Sequence, residues 1–119
     1  MIYTSNFSFS GREPNAVSIA GKTPDWFRGR RFPKLAPRKF FFDVWKQNGD
    51  NLWYIEQYKK HVLDMLDPGI VYAELNDSLD GAILLCYETP GEFCHRRLVA
   101  EWFERTLGVK VPEIPQLKV

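Results

Sequence analysis

Cysteine is scarce: only two occur in 119 residues, too few for a scaffold held by disulfides. No apolar run approaches the ~20 residues needed to cross a bilayer, so no membrane contact is expected. The opening Met1-Ile-Tyr-Thr-Ser-Asn6 has neither the basic nor the apolar segment of a secretory signal. A cytoplasmic protein with two reduced thiols is therefore the expectation. Net charge is only +1, which argues against a track for a long polyanion. Internal repeats and linkers are absent, so residues 1–119 read as a single domain with 112–119 as a loose tail.

Aromatic residues, by contrast, are plentiful (Phe 9, Tyr 5, Trp 4), enough to build a core from large rings. Charge is unevenly placed. Residues 22–46 hold eight bases (Lys22, Arg28, Arg30, Arg31, Lys34, Arg38, Lys39, Lys46) against Asp25 and Asp43, a local +6. Residues 47–93 hold nine acids against Lys59 and Lys60, a local −7.

Ile2–Phe7 alternates and is rich in β-formers, Ala16–Ala20 reads as a second short strand, and Ala82–Cys86 is a continuous apolar run of the kind covered on both faces. Val109–Val111 completes the predicted strands. Residues 8–14 and 22–37 read as loops from their Gly, Pro and Ser content, the second being long for an inert connection. Helices are predicted from Pro37 to Asn48, from Asp50 or Asn51 to Leu66, from Pro68 to about residue 78, and from the capping-box pattern Thr89-Pro-Gly-Glu92 to Gly108. The predicted inward faces are Leu52, Ile55, Val62 and Leu66 on the second helix, Tyr72 and Leu75 on the third, and Leu98, Val99, Trp102 and Phe103 on the last. Strands alternating with helices predict an α/β fold, a small three-layer sandwich with a largely parallel sheet of about four strands.

Ligands of such sheets bind beyond the carboxyl ends of the strands. There the chain reads Cys86-Tyr-Glu-Thr-Pro-Gly-Glu-Phe-Cys-His-Arg-Arg97. With the helix starting at Pro90, Cys94 and His95 would lie in its second turn and point back toward Cys86, while Arg96 and Arg97 would lie on the outer flanks, Arg97 beside Glu101. A helix start with Arg96 nearby suits a phosphate or carboxylate, and the same positive field with His95 adjacent would favour a thiolate. The compact Cys-x5-Arg loop of thiol phosphatases is missing. Core packing of both cysteines is the competing reading. No cofactor and no metal is expected: Cys86, Cys94, His95 and a distant His61 lack the usual Cys-x2-4-Cys spacing. A disulfide between Cys86 and Cys94 is not expected in a reducing compartment.

Trp26-Phe-Arg-Gly-Arg-Arg-Phe32 interleaves cations and rings, which can grip phosphates and stack bases. In a parallel sheet this loop falls on the edge that carries the Cys-His-Arg turn, where Arg28 or Arg30 would close over a bound anion.

The segment Leu85-Cys-Tyr-Glu…Cys94-His-Arg96 resembles the signature of the bacterial family called domain of unknown function 488, and Ile2-Tyr-Thr4 and Leu35-Ala-Pro37 are similar to it as well. Some members carry Asp-Val-Arg where this chain reads Val17-Ser-Ile-Ala-Gly21. The resemblance implies an α/β fold, a bacterial or phage cytosolic setting, and a site at Cys86, Glu88, Cys94, His95 and Arg96, without assigning roles. Combined with the residue chemistry, it gives catalytic candidates Cys86, Glu88, Cys94 and His95 and anion-binding candidates Arg96, Arg28 and Arg30. The expected protein is a thiol-dependent enzyme acting on a small phosphate-bearing, anionic or nucleotide-like ligand. The alternative is a non-catalytic nucleotide- or nucleic-acid-binding module using loop 22–39.

Overall fold

A computed structural model describes residues 1–77, 81–88 and 93–114. Its strands are β1 (Ile2–Asn6), β2 (Ala16–Ser18), β3 (Arg30–Arg31) and β4 (Ala82–Cys86). They form one parallel sheet in the order β1-β4-β2-β3. β4 occupies the interior, paired with β1 from Ile2↔Ala82 to Asn6↔Cys86 and with β2 from Ala16↔Ile83 to Ser18↔Leu85. All five of its residues are buried, as its unbroken apolar run requires.

The four-strand count agrees with the sequence, but the fourth member differs. Arg30–Arg31, read as loop, is an exposed edge strand, and Val109–Val111, expected as a strand, has no regular structure; the isolated bridge Thr4↔Glu113 lies two residues beyond it. Two charged residues on an edge carry no apolar alternation to mark them as a strand. Residues 112–114, read as the start of a loose tail, are tied to β1 by Thr4 N–H to Pro112 O at 2.9 Å and Ile114 N–H to Thr4 O at 2.7 Å. Residues 115–119 lie outside the described part.

The helices are α1 (Phe7–Ser10), α2 (Lys39–Asn48), α3 (Asn51–His61), α4 (Pro68–Leu75) and α5 (His95–Leu107), with 3-10 turns at Pro33–Leu35 and Leu63–Met65. Side chains of Asp50 and Asp67 cap α3 and α4 by accepting Trp53 N–H and Ile70 N–H, both at 3.1 Å. Gly49 and Gly108 end α2 and α5 where the sequence placed the stops. The loop expected at 8–14 begins with α1, capped by Asn6, whose side chain accepts Phe9 N–H at 2.8 Å.

Helices α2–α5 enclose the main core on one sheet face, where Ile2, Val17 and Leu84 meet Tyr54, Tyr58, Leu75, Val99 and Phe103. The other face is covered by α1 and the Trp26–Phe27 loop, so the third layer of the sandwich is one helical turn and a set of rings: Phe7, Phe27, Ile83 and Leu85 form its small core. Of the expected aliphatic stripe, Val62 is buried and Ile55 and Leu66 pack half-buried against the core, but Leu52 is 79% exposed, and the buried residues of α3 itself are Tyr54 and Tyr58. Tyrosine is buried here because its hydroxyl is satisfied: Tyr58 donates to Leu35 O at 2.6 Å. On α4, Leu75 is inward as expected, joined by Val71, and Tyr72 packs half-buried against Phe103. Among the described residues, no helix is long and apolar enough to cross a membrane.

Candidate functional site

After β2 the chain turns toward the β3 edge, whereas after β4 it runs through α5 and returns beside Thr4 at the β1 edge. Adjacent strands whose continuations diverge leave a crevice at their carboxyl ends. A cavity of about 810 Å³ opens there. Ala20, Gly21 and Lys22 line it from the β2 side, Cys86, Tyr87 and Glu88 from the end of β4, and Cys94 and His95 from the start of α5. Phe42, Trp45, Tyr54 and Phe93 supply an aromatic wall, and Lys22, Arg38, Lys39 and Lys46 bring four cations against the carboxylates Asp43 and Glu88.

Cys86 and Cys94 are buried at the cavity floor and joined to each other as a disulfide, in place of the two free thiols expected. Parallel pairing fixes the end of β4, and the extended backbone of Cys94, which is the N-cap of α5, delivers the second sulfur. Cys94 and His95 thus stand at the N-cap and first residue of α5, not in a second turn. Residues 89–92, where the capping box was read, lie outside the described part.

Arg96 is fully buried, although the helical spacing had put it on an outer flank. Its Nε and Nη2 grip Glu113 at 3.0 and 2.8 Å, and its Nη1 points at Cys86 Sγ at 3.1 Å. The guanidinium therefore faces the sulfur from behind the floor and is not among the residues lining the cavity. Burial acts to raise the Glu113 carboxyl, but hydrogen bonds from Arg96 and Thr4 and the charges of Arg96 and Arg97 outweigh it and hold the carboxyl below its ordinary range. Arg97 donates to Thr4 Oγ1 at 2.8 Å and Val111 O at 2.9 Å, not to Glu101, and so anchors the C-terminal segment to β1.

His95 is buried and its Nε2 lies 2.7 Å from Ile19 O. A carbonyl only accepts, which assigns the proton to Nε2 and leaves the Nδ1 lone pair 3.9 Å from Cys94 Sγ. Burial, reinforced by the Arg96 charge and partly offset by the Ile19 bond, lowers its pKa to about 4, so the ring is neutral near pH 7. On the aromatic wall, burial and the nearby Glu88 carboxylate raise the Tyr54 phenol. Tyr54 stacks on Tyr58 with centroids 6.2 Å apart, and Tyr58 in turn meets His95 at 5.5 Å.

Four sequence-selected residues, Cys86, Glu88, Cys94 and His95, thus share one cavity, with Arg96 behind it. Arg28 and Arg30 are elsewhere. Arg28 bonds Asp25 O at 2.8 Å, and Arg30, on the edge strand, pairs with Asp77 at 3.0 Å. The rings of the basic loop are also engaged: Phe27 is buried against Phe7, and Trp26 lies under Arg12, 4.5 Å from its centroid. The cations that do reach the cavity come from Lys22 and the beginning and end of α2. The signal for them was available, because α2 starts at the sheet edge where the turn lies and Arg38, Lys39 and Lys46 recur at helical spacing. Glu113 carried no such signal, since it bonds a residue 17 positions away through a segment without regular structure.

Neither a curated protein nor a solved structure matches the chain. The Cys86-to-Arg96 turn, strands β2, β3 and β4 and the buried Cys-His-Arg cluster fall within a match to one protein family. The matching model is DUF488-N3a, described as the active DUF488-N3 subclade; it covers residues 8–107, and the chain belongs to that family.

Proposed function

We propose that the cavity binds a small anionic ligand bearing a flat ring, of nucleotide type, and acts on it at the floor formed by Cys86, Glu88, Cys94 and His95. The observation that carries this reading is the convergence of Lys22, Arg38, Lys39 and Lys46 with Phe42, Trp45, Tyr54 and Phe93 around one cavity at the strand ends. Cations select phosphate or carboxylate, and rings stack on a base. A family described as an active subclade supports catalysis over passive binding.

With the pair reduced, the Arg96 guanidinium favours the Cys86 thiolate, and His95 Nδ1 is the acceptor for the Cys94 thiol proton. Arg96 serves the sulfur, and ligand anion contact belongs to the cavity cations. Glu88 is the carboxylate positioned to exchange a proton with the bound molecule.

Calorimetric titration of mononucleotides against the matching nucleosides tests the reading, with Trp45 emission as a second readout. Nucleotides should bind, nucleosides should bind far more weakly, and Arg38→Ala and Lys46→Ala should each weaken the nucleotide alone. Equal affinity for nucleotide and nucleoside, or no heat from either, overturns it.

A further inference from the structure

The geometry points to a divalent zinc site formed by Cys86, Cys94 and His95 when the two cysteines are reduced, on the wall of the cavity. Sγ of Cys86, Sγ of Cys94 and one ring nitrogen of His95 lie within 4.8 Å of one another, and all three residues are buried. The cysteine Cα atoms are 7.2 Å apart. Two thiolates on a tetrahedral zinc ion, each at ~2.3 Å, stand ~3.8 Å apart, a separation that cysteine side chains on this backbone spacing can span once the sulfurs are reduced. The backbone spacing therefore suits an ion between the sulfurs.

The surroundings are those of a metal ligand set. Histidine ligands generally give their other ring N–H to a carbonyl or carboxylate, which fixes the ring and its tautomer. Here Nε2 is bonded to Ile19 O at 2.7 Å, and Nδ1 is the nitrogen on the cysteine side, 3.9 Å from Cys94 Sγ. Arg96 Nη1, 3.1 Å from Cys86 Sγ, is an N–H donor to a coordinating thiolate, and Glu113 balances its charge. Two thiolates then neutralise one divalent ion, so the buried cluster carries no net charge. Thiolate and imidazole donors together select zinc over magnesium or calcium.

The spacing rule for zinc sites failed to register these ligands because they come from two elements. Cys86 ends a strand and Cys94 with His95 starts a helix, so the sheet, not a short knuckle, brings them together. Three protein ligands on a cavity wall make the open type of zinc site, in which the remaining coordination position takes water or substrate. Glu88 on the same wall is then a base for the ion-bound water. The inference stands apart from the nucleotide reading, because ion binding is measured without any cavity ligand.

Ion and disulfide exclude each other, since both use the same sulfurs. A phosphine reductant breaks the S–S bond by taking an oxygen atom from water. It becomes the phosphine oxide and leaves two thiols, whose protons pass to solvent as the ion binds.

The experiment is a cobalt(II) titration of the full chain, reduced with phosphine under nitrogen until two free thiols per chain are counted. One equivalent should give the intense absorption of tetrahedral cobalt with sulfur-to-cobalt charge transfer, and one equivalent of zinc should erase it. Glu88→Gln should keep the spectrum, while Cys86→Ser, Cys94→Ser and His95→Gln should each reduce or abolish it. Reoxidation by an added small-molecule disulfide, which takes up the two electrons and leaves as two thiols, should release the ion as the protein's thiol count falls to zero. If the reduced wild-type chain shows no sulfur charge-transfer band, the site does not exist, whatever the variants do. An unchanged spectrum in Cys94→Ser equally overturns it.

Discussion

Glu113 and Arg96 meet as a two-pronged pair, Nε 3.0 Å from Oε1 and Nη2 2.8 Å from Oε2, and this leaves the third guanidinium nitrogen aimed at Cys86 Sγ. The arginine side chain has no solvent exposure and the glutamate only 16%, so each depends on the other for its charge. A residue near the C-terminal end of the described chain thereby sets the environment of a sulfur in the central strand.

Removing the glutamate strands a buried cation. Glu113→Ala should lower unfolding free energy by about 3 kcal/mol, at the low end for breaking a buried pair because the glutamate retains some solvent contact. The double variant Arg96→Met/Glu113→Leu should recover much of that loss, since no charge is then left unpaired. Urea unfolding decides: a loss below about 1 kcal/mol, the range of an exposed pair, would mean that the pair does not hold the floor in place. Because the folded Glu113 carboxyl sits below its usual range, its stabilisation is complete above the unfolded value of ~4.3 and disappears as pH falls through the folded value.

His95 makes a separate prediction at milder acidity. Its folded pKa of about 4 lies below the ordinary 6.5, so the unfolded chain binds the extra proton first as pH falls. Stability is therefore full above pH 6.5 and declines between 6.5 and 4, by up to about 3 kcal/mol, before levelling. His95→Gln should flatten the stability curve in this window and leave the steeper carboxylate region below it. An identical slope in wild type and variant would show that His95 is not buried as a neutral ring.

These couplings mark where sequence reading stops. Cys86, Glu88, Cys94 and His95 were legible because the strand run Ala82–Cys86 and the turn after it are local features. The strand–helix alternation likewise made the parallel sheet legible. Cys94 and His95 were placed in a second turn because α5 begins five residues later than the capping box implied. Arg96 precedes the buried Val99 and Ala100 by three and four positions and shares their face. A charged side chain nevertheless reads as outward until its partner is known, and that partner, Glu113, lies 17 positions on. The inward side of α3 was read in part: Ile55, Val62 and Leu66 do pack on the core, but Leu52 is exposed and Tyr54 and Tyr58 are buried in addition. The burial of Tyr58 depends on a carbonyl 23 residues before it, which local spacing does not show. The cysteine pairing depends on the distance between a strand end and a helix start, which no one-dimensional spacing contains.

Gly81 and Gly49 share a left-handed backbone, with φ of 71° and 65°, but not their surroundings. A Cβ at Gly49 meets nothing within 4 Å, whereas one at Gly81 would overlap the Met1 carbonyl oxygen. That oxygen accepts Ala82 N–H at 3.3 Å, where the β1–β4 pairing begins. Gly49→Ala should therefore cost only the left-handed penalty of about 1–2 kcal/mol. Gly81→Ala should cost clearly more, because it also pries apart the start of that pairing. Equal losses in paired urea titrations would show that the steric overlap is relieved freely.

Tyr58 connects the core to the cavity wall. Its hydroxyl donates to Leu35 O at 2.6 Å, and the next residues, Ala36, Pro37 and Arg38, line the cavity. Tyr58→Phe keeps the ring and its stacking on Tyr54 but leaves a buried carbonyl without this donor, at a cost of about 1–3 kcal/mol. The loss should not stop at stability. A segment released from α3 holds Arg38 less firmly, so nucleotide affinity should fall along with the unfolding midpoint, while nucleoside affinity changes little. Leu52→Ala on the exposed side of the same helix supplies the contrast, with neither quantity altered beyond about 0.5 kcal/mol. Should Tyr58→Phe unfold at the wild-type urea concentration, the hydroxyl bond is not what fixes the wall.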